Sequence, residues 1–270
     1  MHPSQIIVLA TPVFFALIAL EYWVSVRRGL RVYRMHDMVA SLSCGILSQV
    51  TALFTKAFMV GIYAFCFEHL ALTRLPMDNL AVWAAGLFLY DFFYYWNHRF
   101  GHDKALFWAA HAVHHQSEDY NLSTALRQPI AGAFGVWMPY GLPARFGVRP
   151  TIIETSRALN LIYQYWIHTD TIRLLGRAEE VLNTPSHHRV HHGVNQQYID
   201  RNHGGILISW DRLFGTFHRE QADDPVRYGL TRNVQSHNLF TVATHEYRDM
   251  FRDVMRSTNW RDRIGFVVRG

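Results

Sequence analysis

Three short tracts concentrate histidine in this chain: His98 and His102; His111, His114 and His115; and, far downstream, His187, His188, His191 and His192. They hold nine of its 17 histidines. A helix turns about 100° per residue, so positions three and four apart return to one face. His98 can share a face with His102, His111 with His114 and His115, and His188 with His191 and His192. Neutral imidazole is a ligand for zinc, copper, iron and nickel, and one ion is satisfied by about four to six donors. The number of converging donors exceeds one ion, so two ions is the economical count.

His168 stands alone in sequence, but it closes an apolar segment at the level expected for His98, and it joins the ligand set on that ground. His187 points about 100° away from His188 and could support a ligand from behind by hydrogen bonding. Asp91, near the end of its own apolar segment, could do the same for a ligating histidine. Close to the tracts, the carboxylates are Asp103, Glu118 and Asp119, which does not match the glutamate-bridged design of ferritin-like bundles. A hydrolytic zinc site needs fewer histidines, an open water position and a general base. Saturation with histidine suits a redox metal that activates dioxygen, although spacing alone leaves iron and zinc both open.

The elements that must position these residues are apolar and long. Residues 6–20 carry no charge, and the run continues past Glu21 to Val26, enough to cross a hydrocarbon core of about 30 Å. Arg27, Arg28, Arg31 and Arg34 follow, a cluster of the kind retained on the cytoplasmic side, which puts the N-terminus outside. Residues 38–67 form a second apolar segment, unbroken or with a break near Gly45, and residues 80–96 form a third. Residues 129–146 and 151–167 read as a membrane hairpin that could be re-entrant, because Glu154, Arg157, Asn160 and Gln164 are costly in lipid. No later segment is long and apolar enough to span.

The expectation is an all-α integral-membrane bundle of about four membrane helices, with the histidines on its cytoplasmic side. The chain reads as one domain: membrane helices over 1–96, a His-rich cytoplasmic segment over 97–128, the membrane hairpin over 129–168 and a helical cytoplasmic cap over 169–270. Tyr120, Asn121, Arg127 and Gln128 could line a substrate entrance or contact a lipid head group. The net charge of +5 reflects membrane flanks and solvated faces, with no nucleic-acid module. Cys44 and Cys66 give no disulfide framework and no zinc pair. No glycine-rich nucleotide fingerprint appears, so electrons for redox chemistry must come from outside the chain.

The pattern of His98 and His102, then His111, His114 and His115, then His168, then His188, His191 and His192 resembles the fatty acid hydroxylase / sterol desaturase superfamily of membrane di-iron oxygenases. The stretches at 120–128, 163–169 and 183–193, with Gly204-Gly205 and residues 210–216, look most like its alkylglycerol monooxygenase branch. His203 departs from the pattern, standing where a tyrosine is expected.

That resemblance implies two iron ions on those nine histidines, O2 as cosubstrate and a membrane lipid attacked at a C–H bond. It also implies an external reductant, either tetrahydrobiopterin or a ferredoxin- or cytochrome-type partner. Attack beside an ether oxygen would yield a hemiacetal that falls apart to an aldehyde. Desaturation and head-group hydroxylation are alternatives within the superfamily. A metal carrier or sensor is the alternative of another class, and it would place its ligands near the bilayer midplane with access from both sides.

Overall fold

Hydropathy sets the outer helices and buried polar pairing sets the inner ones. The computed structural model describes residues 3–130 and 138–269. Among them it has ten α-helices and no strand, only an isolated bridge between Leu182 and Leu207. The two uncharged N-terminal runs become α1 (Pro3–Arg27) and an unbroken 36-residue α2 (Met35–Leu70). Both are long and apolar enough to cross a membrane, and only 17 % of the most apolar stretch of each is buried. Phe15, Trp23, Leu53, Phe54 and Phe58 point outward. A soluble core helix would bury such residues, and lipid is the environment that accepts them.

Inside this layer lies α3 (Leu80–Asp103), whose second half, rich in Tyr and Trp, makes it less apolar than α1 or α2. It packs against α6 (Pro150–Ile167), with Tyr90, Ile152 and Ile153 joining Tyr63 and Phe67 of α2 in one core cluster. The polar residues that made α6 costly in lipid all turn inward. Glu154 pairs with Lys56 at 3.6 Å and Arg157 at 3.2 Å, Asn160 donates to Asp91 at 2.8 Å, and Gln164 accepts from Tyr94 at 2.7 Å. The first limb of the expected hairpin includes residues 131–137, which lie outside the described residues; α5 (Met138–Arg145) follows them.

Beyond α3 the chain reverses at Lys104 into α4 (Ala105–His115). The polar segment after it closes over α2, so tightly that a Cβ on Gly45 would lie 2.6 Å from the Leu126 carbonyl oxygen. Downstream come α7 (Pro185–His191), with Thr184 and Pro185 at its start, α8 (Ser209–Phe214), α9 (Leu239–Arg256) and α10 (Trp260–Val268). Arg28 donates to the Thr171 carbonyl at 3.2 Å, and Arg34 pairs with Asp119 at 2.7 Å. The arginine-flanked end of α1 therefore meets the end of the bundle where the histidines gather.

Candidate metal centre

Four segments deliver the histidines: the end of α3, the second half of α4, the residue after α6, and α7 with the residue that follows it. They divide into two groups. His98, His102, His111, His115 and His191 form one, and His114, His168, His188 and His192 form the other; within each, the donor nitrogens lie within 4.8 Å of one another. The division follows helical spacing. The i, i+4 pairs 98/102, 111/115 and 188/192 each stay together, while His114 and His191 cross to the opposite group. Helices α4 and α7 thus each feed both groups.

Backbone carbonyls fix the rings. His98 Nδ1 donates to the His203 carbonyl at 2.9 Å, His114 Nδ1 to that of Arg127 at 3.1 Å, His168 Nδ1 to that of Gln164 at 2.7 Å, and His191 Nδ1 to that of Arg201 at 3.0 Å. A carbonyl only accepts, so in each neutral ring Nδ1 carries the proton and Nε2 a lone pair. His114 and His168 then face each other Nε2 to Nε2 at 3.1 Å with no hydrogen between them. The other inward contacts, His98 to His111, His111 to His115 and His168 to His188, are 3.0 to 3.1 Å. The Nε2 atoms of His102, His191 and His192 are buried without a partner among the described residues.

Opposed lone pairs repel, and a cation between them reverses the sign of the interaction. Adjacent donors around an octahedral ion with ligand bonds of about 2.1 Å stand about 3 Å apart. The residues therefore fit two metal ions, and iron is among the metals that an all-imidazole set suits, with zinc, copper and nickel. Burial, reinforced by neighbouring imidazoles, pushes His111, His115, His188, His191 and His192 well below the ordinary range, and burial pushes His114 down to about 4. These rings are neutral at physiological pH, the form that binds metal.

Several expected roles fall elsewhere. Asp91 bonds no histidine among the described residues. Its Oδ1 accepts from Asn160 and from the Ile206 amide, and its Oδ2 from the Leu207 amide and Trp210 Nε1, at 2.7 to 3.1 Å. It pins the loop after His203, one step behind His98. His187 belongs to neither group; its ring packs edge-on against Phe217, and its carbonyl accepts from Asn202 at 3.0 Å.

Of the four residues expected at a substrate entrance, Asn121 and Arg127 are buried and Gln128 is half-buried, and all three are engaged inward. Arg127 Nε donates to the Val113 carbonyl at 2.9 Å, Asn121 Nδ2 donates to the Val32 carbonyl, and Gln128 Nε2 donates to the Ala125 carbonyl at 2.7 Å. Tyr120 is the exception in placement: although buried, its ring lies 5.2 Å from that of His192, beside the four-histidine group.

Two residues beside the site carried little signal in the sequence. His203 sits with its ring 5.0 Å from that of His102. Asp200 Oδ1 accepts from His102 Nδ1 at 3.2 Å, presented by a backbone with φ of 56°. A carboxylate behind a ligating histidine orients the ring and raises its basicity. Only the i, i+4 pairs, read as units, could have announced the division into two groups.

Residues 83–216 match the fatty acid hydroxylase family model. An alkylglycerol monooxygenase from Homo sapiens is 41 % identical over 265 residues, covering 93 % of this chain and 59 % of that protein. One from Danio rerio is 42 % identical over 264 residues, covering 97 % of this chain and 58 % of that protein. An ornithine lipid hydroxylase from Rhizobium tropici is 25 % identical over 159 residues, or 58 % of this chain and 48 % of that protein. The chain spans about three fifths of the length of the alkylglycerol monooxygenases it matches. No solved structure matches it.

Proposed function

The chain belongs to the fatty acid hydroxylase family, and from that premise we propose that it is a membrane-bound, O2-dependent di-iron monooxygenase acting on the alkyl chain of an ether lipid. One observation carries the proposal: buried imidazoles whose inner lone pairs face one another in two adjacent groups, with no carboxylate in either among the described residues. Bound there, two irons would supply activation of dioxygen, with one oxygen atom entering a C–H bond and the other leaving as water on two electrons from the reductant and two protons.

The chain's own residues do the rest. Carbonyls of Arg127, Gln164, Arg201 and His203 hold four rings in one tautomer. Tyr120, stacked on Tyr228 with ring centres 4.8 Å apart, covers the four-histidine side and keeps water from it. The outward apolar faces of α1 and α2 keep the site within reach of lipid. Hydroxylation of the carbon bearing the ether oxygen gives a hemiacetal, which collapses to an aldehyde and the free alcohol. Electrons come from a reduced pterin or a small electron-transfer protein.

The positive-inside rule, applied to Arg27, Arg28, Arg31 and Arg34, supports an orientation with this end of the bundle in the cytoplasm and the start of α1 outside. Residues 3–130 and 138–269 act as one domain, 3–96 and 138–168 toward the membrane, 97–128 and 169–269 around the centre. A metal carrier is disfavoured because both groups sit at one end of the bundle, not midway along a path.

The test is incubation of purified protein with an alkylglycerol, O2 and a tetrahydropterin, with mass spectrometry of the products. A fatty aldehyde that disappears in His111→Ala supports the reading; an intact hydroxylated or desaturated lipid replaces ether cleavage with another oxidation. Metal that is substoichiometric and freely exchanged, with no O2 uptake, overturns the enzyme.

A further inference from the structure

Helices α9 and α10 present an apolar face that the described residues leave largely open, with Tyr247 half-buried at its edge. At about 100° per residue, Phe240, Tyr247, Phe251 and Met255 fall within an arc of about 80° on α9. Phe240 is 78 %, Phe251 64 % and Met255 62 % exposed. Arg248, Arg252 and Arg256 occupy the next arc of about 80°. The inner side is already used, since Leu239 and Val242 pack with Cys44 and Val113. On α10, Trp260, Ile264 and Val268 recur every fourth residue and are all exposed, with Arg261 and Arg263 between them. A helix seated on protein turns such residues inward. An aromatic stripe bordered by arginines belongs to a helix lying in the plane of a bilayer surface, rings among the acyl chains and guanidinium groups at the phosphates.

Continuity with the membrane helices names the occupant. Val242 packs on Cys44, and the α2 residues bracketing that level, Val39, Ile46 and Val50, are themselves exposed apolar side chains. Just ahead of α9, His237 stacks on His36 in the first turn of α2, with ring centres 5.9 Å apart. The helix pair therefore lies beside the end of α2 that follows the arginine cluster, where a headgroup layer meets hydrocarbon.

We propose that α9 and α10 lie on the membrane and bind the anionic phospholipid surface of the leaflet that α2 enters, a reading that rests on α1 and α2 crossing the bilayer. Because Val242 packs on Val113 of α4, this contact holds the helix carrying His111, His114 and His115 at the lipid boundary.

The full chain is reconstituted into phosphatidylcholine vesicles with and without phosphatidylserine. Single spin labels are placed through Phe58→Cys, Phe251→Cys, Ile264→Cys or Arg232→Cys on a Cys66→Ser background; Cys44 is fully buried and stays unlabelled. Relaxation by O2, which partitions into lipid, is compared with relaxation by a water-soluble nickel chelate. Labels at 58, 251 and 264 should favour O2 and the label at 232 nickel. Phosphatidylserine should raise the O2-to-nickel ratio several-fold at 251 and 264 but not at 58, and Arg248→Ala with Arg252→Ala and Arg256→Ala should remove that rise. Water-like behaviour at 251 and 264 with a lipid-like 58 overturns the proposal alone. A water-like 58 overturns the membrane reading of α2 and the proposal with it.

Discussion

Replacing Asp91 tests how the loop behind His98 is held. Its carboxylate accepts four hydrogen bonds from buried donors on Asn160, Ile206, Leu207 and Trp210. Leaving a buried donor unpaired costs about 1–3 kcal/mol, so Asp91→Ala forfeits about 4–12 kcal/mol, comparable to the entire stability of an ordinary domain at about 5–15 kcal/mol. That variant should not accumulate. Asp91→Asn is the informative change. The amide keeps one acceptor oxygen and turns an NH2 toward two donors, whichever way it is oriented. Two lost bonds cost about 2–6 kcal/mol, or about 4–11 °C in melting temperature for a chain of this size. The loop also carries the His203 carbonyl that fixes His98, so iron should fall from two per chain toward one, with the five-histidine group emptying first. Melting in detergent and iron analysis on the same preparation measure both effects. Wild-type values for both would refute the argument; a lowered melting temperature with two irons retained would refute the coupling to His98 specifically.

His168→Ala removes one of four donors from one group and leaves the other five intact; the purified variant should hold about half the wild-type iron and turn over no lipid, whereas unchanged iron would exclude His168 from the ligand set. In the metal-free protein, His114 and His187 are pushed down to about 4 by burial while the unfolded chain protonates near 6.5. The fold therefore loses stability as pH drops from about 6.5 toward 4, by up to about 3 kcal/mol per ring, and a melting temperature that does not move between pH 7 and pH 5 would contradict this. Gly205→Ala would put a Cβ 2.6 Å from Asn160 Nδ2 and 2.7 Å from Asp91 Oδ1; overpacking of this kind costs about 1–3 kcal/mol, and a melting temperature equal to that of wild type would show the crossing to be looser than described.

Local spacing carried most of what was legible beforehand. The i, i+4 repeats of His98/His102 and His111/His115 required a helix to converge, and helices formed there. The polar residues of α6 were legible as inward-facing, because lipid would reject them and only a packed position accepts them. What spacing could not supply was contact across the sequence. Asp91 meets the loop at Ile206, 115 positions away, and Arg127 meets Asp37 across 90. A buried arginine in a polar stretch reads as an exposed one until its partners are known, which is why Arg127 and Asn121 resembled a substrate entrance. The sharing of α4 and α7 between the groups was hidden for a related reason: residues three apart on one face can still serve different ions when the ions lie side by side.

That sharing has a consequence for biosynthesis. The five-histidine group spans residues 98 to 191 and the four-histidine group 114 to 192, so both are completed by the same short helix, the last of the donors to be translated. Neither position can be finished ahead of the other, and the Arg201 and His203 carbonyls that orient two of the rings arrive later still. An ion captured early would find α3 and α4 alone, a partial set from which it can leave. Full retention of an ion would require α7 and the loop behind it to have docked, so metal occupancy would report a chain synthesised at least through His203.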